Sequence, residues 1–86
     1  MKLKHNIVGI HITDRVKDAV NVQKVLTKYG GHIKTRLGLH DIDYKTPSGL
    51  LLVEMVGQDA EVQAFVAKLE AVAGVDVKTM IFEHAS

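Results

Sequence analysis

Two consecutive strand–helix–strand patterns occupy this chain of 86 residues. Alternation of apolar and polar side chains marks the strands, and apolar side chains at helical spacing mark the helices. The predicted elements are a strand at 7–12, a helix at 15–29, strands at 32–39 and 50–56, a helix at 60–72 and a strand at 75–82. Parallel strands joined through helices need right-handed crossovers, so two such units interleave into one sheet. The order predicts an α+β protein of ferredoxin-like βαββαβ architecture. Its four-stranded antiparallel sheet would carry two helices on one face, with the first and third strands at the centre.

Length and composition narrow the class of protein. The length predicts a single domain over residues 1–86 with a small hydrophobic core. The sequence contains no cysteine, which excludes disulfides, thiolate metal sites and cysteine nucleophiles. No apolar run approaches the ~20 residues of a membrane span, and the N-terminal segment lacks the apolar stretch of a signal peptide. We therefore expect a cytoplasmic protein with no membrane association.

The charge pattern bears on the possible partners. The net charge is +1, from 11 basic and 10 acidic residues whose signs are mixed along the chain. There is no basic block to hold a phosphate backbone, and the aromatic residues do not follow the pattern of an RNA-binding sheet. We expect no direct binding of nucleic acid.

Strand alternation divides the side chains between the two faces of the predicted sheet. The helices are expected to cover the face that carries Val8, Ile10, Ile12, Leu51, Val53 and Met55. The other face is expected to expose Ile7, Leu52, Met80 and Phe82, with Arg36 and Glu54 paired nearby across the second and third strands. Because a large apolar patch usually marks a contact surface, and most soluble oligomers are symmetric, we expect a homo-oligomer, either a dimer or a tetramer. Residues 83–86, beyond the last strand, are expected to be frayed.

The segment Thr13-Asp14-Arg15 lies where the first strand meets the first helix. Free amides at a helix N-terminus favour an anion, and an arginine beside them can clamp a carboxylate. These three residues are therefore a candidate site for a small ligand. The alternative is a capped helix with an exposed arginine in its first turn.

No catalytic set is evident, so we expect a protein that is not an enzyme and uses no cofactor. One alternative is a metal-binding sensor in which His32, His40 and Asp41 supply ligands across subunits, since imidazole and carboxylate suit zinc, nickel or copper. The spacing is not diagnostic, and the favoured interpretation is that these are surface histidines at strand ends. Another alternative is a small enzyme with a cavity between the sheet and the helices and His11 as its base.

Four segments resemble one family of small bacterial proteins. They are the run from Val8 to Arg15, the helix end Lys28-Tyr29-Gly30, Arg36-Leu37-Gly38-Leu39, and the run from Gly74 to Thr79. Together they are similar to the iron-only hydrogenase system regulators, which are ferredoxin-like and ACT-related. The resemblance covers nearly the whole chain and implies a regulatory role.

The resemblance also implies a place for an effector. ACT domains bind amino acids or other small effectors between copies, near the turn from the first strand to the first helix. Carried over, this implies Thr13, Asp14 and Arg15 as ligand-binding residues. The turn lacks the glycine that many amino-acid-binding ACT domains place there. The leading hypothesis is thus a non-enzymatic, ACT-like homo-oligomer that binds a small molecule and regulates a metalloenzyme system such as a hydrogenase.

Overall fold

The computed structural model describes residues 2–39 and 48–85. Its elements in chain order are β1 (Lys2–Ile12), α1 (Arg15–Lys28), a 3-10 turn (Gly30–His32), β2 (Ile33–Leu39), β3 (Gly49–Met55), α2 (Asp59–Glu70) and β4 (Val75–Ala85). The strands form one sheet in the order β2-β3-β1-β4, and every neighbouring pair is antiparallel. The predicted ferredoxin-like α+β architecture, with β1 and β3 central, is confirmed.

The hydrophobic core lies between the helices and one face of the sheet. From the sheet, Val8, Ile10, Val53 and Met55 are at most 1% exposed. From the helices come Val22, Leu26, Val62, Phe65 and Leu69. The ring of Tyr29 meets Phe65 edge to face, with centroids 5.5 Å apart. The face that the sequence assigned to the helices is therefore the face they cover.

Strands β1 and β4 are longer than the sequence pattern indicated. They pair along all eleven residues, from Lys2 opposite Ala85 to Ile12 opposite Val75. The prediction that residues 83–86 are frayed is therefore wrong for 83–85. The additional residues carry little apolar alternation, but each strand supplies backbone donors and acceptors to the other.

A β-bulge in β2 changes which face its side chains occupy. Ile33 is opposite Met55 and Thr35 is opposite Glu54, so β2 uses two residues where β3 uses one. Beyond the extra residue, Lys34, the alternation is reversed, because side chains on a strand switch face at every residue. Arg36 then lies opposite Val53, on the helix side, where its Nη2 donates to Gln23 Oε1 at 3.2 Å. The expectation that Arg36 lies on the uncovered face and pairs with Glu54 is wrong.

Candidate functional site

The sheet face opposite the helices carries a group of apolar side chains, and we call it the open face. Register places Ile7 opposite Met80, Gly9 opposite Leu52 and His5 opposite Phe82, so the predicted residues Ile7, Leu52, Met80 and Phe82 share this face. The bulge adds Leu37, opposite Leu52; regular alternation without the bulge would place Leu37 on the same face as Ile33. Met80 and Phe82 are each 55% exposed and Leu37 is 52% exposed. Ile7 and Leu52 are half-buried.

One end of the open face carries two histidines and a carboxylate, which we call the histidine cluster: His5, Glu54 and His84. Nδ1 of His5 lies 2.7 Å from Oε2 of Glu54. Nε2 of His5 lies 3.1 Å from Nε2 of His84, and the two rings stack with centroids 5.0 Å apart and an interplanar angle of 17°. Three neighbouring strands thus bring these groups together, with His5 on the central strand β1.

Electrostatics favours the ionised form of Glu54. The hydrogen bond from His5 lowers the pKa of this carboxyl group, and the positive charge of Lys34 acts in the same direction against the effect of burial. Because an ionised carboxylate only accepts hydrogen bonds, Nδ1 of His5 is the donor in this contact.

Sequence reasoning missed the histidine cluster. His5 and His84 are 79 positions apart, and both fall outside the strands that the apolar alternation predicted. Full antiparallel pairing of β1 with β4 is the signal that could have found them. In that register His84 is opposite Leu3, two residues from His5 on the same face, which is the diagonal position of a cross-strand pair.

At the β1–α1 turn, the N-terminus of α1 is capped from within the chain. Oδ1 of Asp14 accepts the backbone N–H groups of Val16 at 3.1 Å and Lys17 at 3.2 Å. Thr13 is exposed, and its backbone N–H donates to the carbonyl of Gly74 at 2.9 Å. Arg15 is the first residue of α1, and its side chain lies outside the described part of the structure. Asp14 therefore has the helix-capping role that the sequence left open as an alternative.

Of the proposed metal ligands at the ends of β2, only His32 falls among the described residues; His40 and Asp41 lie outside them. Nδ1 of His32 lies 3.3 Å from Oε2 of Glu61, which also accepts the backbone N–H of Gln58 in the capping box of α2. Within residues 2–39 and 48–85, no group of three or more histidine, aspartate or glutamate side chains is placed to hold one metal ion together, and this includes the histidine cluster.

Among the described residues, α1 borders a shallow groove and a smaller concavity. A shallow groove of about 550 Å³ is lined by Ala19, Val20, Gln23, Lys24 and Thr27. A smaller space of about 190 Å³, which includes Leu26, Arg36 and Leu51 in its wall, separates α1 from β2 and β3. His11 lines neither of them, because it is exposed on the open face opposite Leu50 and Asp76. The alternative of an enzyme with His11 in a cavity beneath the helices is therefore not supported.

Neither described helix is long and apolar enough to cross a membrane.

Comparison with solved structures confirms the fold. The protein TM1266 from Thermotoga maritima is 23% identical, with a TM-score of 0.83, and the match covers 95% of this chain and 99% of that chain. CPII, a nitrogen regulatory PII-like protein from Thiomonas intermedia K12, is 10% identical, with a TM-score of 0.62 and coverage of 100% and 96%.

A formyltetrahydrofolate deformylase from Pseudomonas putida KT2440 is 12% identical, with a TM-score of 0.58. The match covers 88% of this chain but 28% of the deformylase, so the likeness concerns only a part of that protein. No curated protein matches the sequence significantly.

A family model gives the assignment that these distant structures do not. Residues 4–79 match the family described as "TM1266-like: Iron-only hydrogenase system regulator, putative". The matched segment runs from the start of β1 into β4, so it includes both strand–helix–strand units. The chain belongs to the TM1266-like family of iron-only hydrogenase system regulators.

Proposed function

We propose that this protein is a non-enzymatic regulatory domain that works as a homo-oligomer, joined through the open face, and binds a small effector near the β1–α1 turn. The family assignment supports the regulatory role, and the family description suggests a hydrogenase as the regulated system. The observation that carries the proposal is the exposure of Leu37, Met80 and Phe82 on one sheet face. Large exposed apolar patches are characteristic of surfaces that meet a partner.

The energetics of this face suit a symmetric pair of copies. Full burial of a large apolar side chain contributes about 1.5–3 kcal/mol, and Leu37, Met80 and Phe82 are each already about half-buried. Each of the three would therefore contribute about 1 kcal/mol, or roughly 6 kcal/mol across two copies that use the same patch. This is close to the lower end of the association cost, about 4–15 kcal/mol, so Ile7, Leu50 and Leu52 must also contribute.

Sedimentation velocity at micromolar concentration tests the oligomer. Met80→Lys places a charge among the exposed apolar side chains of the open face and is expected to give a monomer, while the wild-type protein sediments as an oligomer. Val16→Lys is the matched control, because Val16 is 83% exposed but lies on α1. A wild-type protein that is strictly monomeric, or a Met80→Lys variant that assembles normally, would contradict the proposal.

A thermal-shift screen tests the effector. CPII is described as bound to ADP, AMP and bicarbonate, so nucleotides and small anions join amino acids as the first classes to screen. A ligand present at about 100 times its Kd stabilises the folded state by about 2.7 kcal/mol, which raises the melting temperature measurably. We expect Arg15→Ala to reduce this shift and Lys28→Ala, at the other end of α1, to retain it. A shift that is identical in both variants would place the ligand elsewhere.

A further inference from the structure

We propose that His5 and His84 chelate a divalent ion of the zinc, nickel or copper class through their Nε2 atoms, with Glu54 orienting the His5 ring. This site lies on the open face at the paired ends of β1 and β4. Both imidazoles belong to one chain, so a single copy supplies both protein ligands, and the effector proposed above is not needed for the site.

The separation of the two nitrogens fits a shared ion. Zinc binds imidazole nitrogen at about 2.0–2.1 Å, so two such ligands at an angle between about 90° and 110° have nitrogens about 2.9–3.4 Å apart. The observed distance between Nε2 of His5 and Nε2 of His84 is 3.1 Å. An ion could therefore take the place of the proton between the two rings with little movement of either strand.

The contact with Glu54 prepares His5 for this role. Since Nδ1 of His5 donates to Oε2 of Glu54, the neutral ring carries its lone pair on Nε2, the atom that faces His84. A carboxylate that accepts the second N–H of a ligating histidine recurs in metal sites, where it fixes the tautomer and makes the ligand more basic. The Glu54–His5–His84 order across three strands reproduces this arrangement.

The ligand set determines the class of ion. Two imidazoles suit zinc, nickel and copper, whereas magnesium and calcium prefer oxygen ligands. In a single copy the side chain of His5 is 44% exposed, so an ion can enter from solvent and water can complete its coordination. The site is therefore an open chelate with two protein ligands.

Calorimetric titration of untagged protein with Zn²⁺ tests the proposal. We expect one ion per chain for the wild-type protein, and no such binding for His5→Ala and His84→Ala. Glu54→Gln keeps the shape of the side chain but not its charge, and is expected to weaken binding about 10–100-fold. His11→Ala is the matched control, because His11 is exposed on the same face of β1 and should not contribute.

Imidazole NMR spectra locate the ion independently of affinity. Added Zn²⁺ should shift the Nε2 resonances of His5 and His84 and leave those of His11 unchanged. Circular dichroism spectra show whether each variant folds, and His84→Ala, at an exposed position near the end of β4, is the variant least dependent on packing. Absence of Zn²⁺ binding by the wild-type protein, or equal binding by folded His84→Ala, would overturn the proposal.

Discussion

The turn between α2 and β4 holds Gly74 against Asp18 of α1. Gly74 has a φ of +76°, in the left-handed region that side chains with a Cβ rarely adopt. A Cβ at this position would also lie 2.7 Å from Oδ2 of Asp18, which is only 7% exposed. We expect Gly74→Ala to lower the free energy of unfolding by about 1–3 kcal/mol, measured by urea denaturation followed by circular dichroism.

Gly31→Ala is the control for Gly74→Ala. A Cβ on Gly31 would have no neighbour within 4 Å, and its φ is not positive. Gly31→Ala should leave stability unchanged or raise it by less than about 1 kcal/mol, since alanine restricts the unfolded chain. Equal losses in the two variants would show that neither backbone strain nor the contact with Asp18 matters at Gly74.

The bulge in β2 determines which side chains of this strand lie on the open face. The chain has no cysteine, so introduced pairs report the register directly. Leu37 is opposite Leu52, whereas Arg36 is opposite Val53 and points to the other side of the sheet. We expect Leu37→Cys with Leu52→Cys to form a disulfide on mild oxidation, because directly opposite strand residues have Cα atoms about 4.5–5.5 Å apart.

The pair Arg36→Cys with Leu52→Cys distinguishes the bulged register from a regular one. A regular strand continued from Ile33 would place residue 36 opposite residue 52, so this pair would crosslink only without the bulge. After oxidation and blocking of the remaining thiols, the mass of each variant shows whether the disulfide has formed, and so which of the two registers β2 adopts. Efficient crosslinking through residue 36 would contradict the register described here.

The sequence predicts the fold wherever apolar side chains show the period of a strand or a helix. Val8, Ile10 and Ile12 alternate cleanly, and Val62, Phe65 and Leu69 follow helical spacing, so the elements and the covered face were predictable. The segment Lys34-Thr35-Arg36 is polar throughout, so no burial preference reveals the bulge within it. The histidine cluster depends on polar strand ends that pair through the backbone, which side-chain periodicity does not report.

For the whole molecule, the described core is confined to one side of the sheet. A chain of 86 residues buries only a little over about 60% of the surface that its unfolded form exposes. The total stability of such a domain is about 4–13 kcal/mol, so each buried large side chain is a substantial part of it. The part of the apolar surface that the open face still exposes adds nothing to this stability until a partner covers it.

Phe65 is the largest fully buried side chain of the described core. It is completely buried, lies on α2 and packs against the ring of Tyr29. We expect Phe65→Ala to lower the free energy of unfolding by about 3–5 kcal/mol, which leaves the fold marginal. Phe65→Leu keeps most of the volume and should cost less than about 1.5 kcal/mol, so it remains measurable by urea denaturation if the alanine variant does not fold.

Val16→Ala is the comparison for Phe65. Val16 is 83% exposed, so its truncation should change stability by no more than about 0.5 kcal/mol. If Phe65→Ala cost as little as Val16→Ala, α2 would not be packed on the sheet, and the open face could no longer be distinguished from a covered one. A large difference between the two variants instead requires that burial be concentrated on the helix side. Any further burial of the open face then requires a contact from outside the chain.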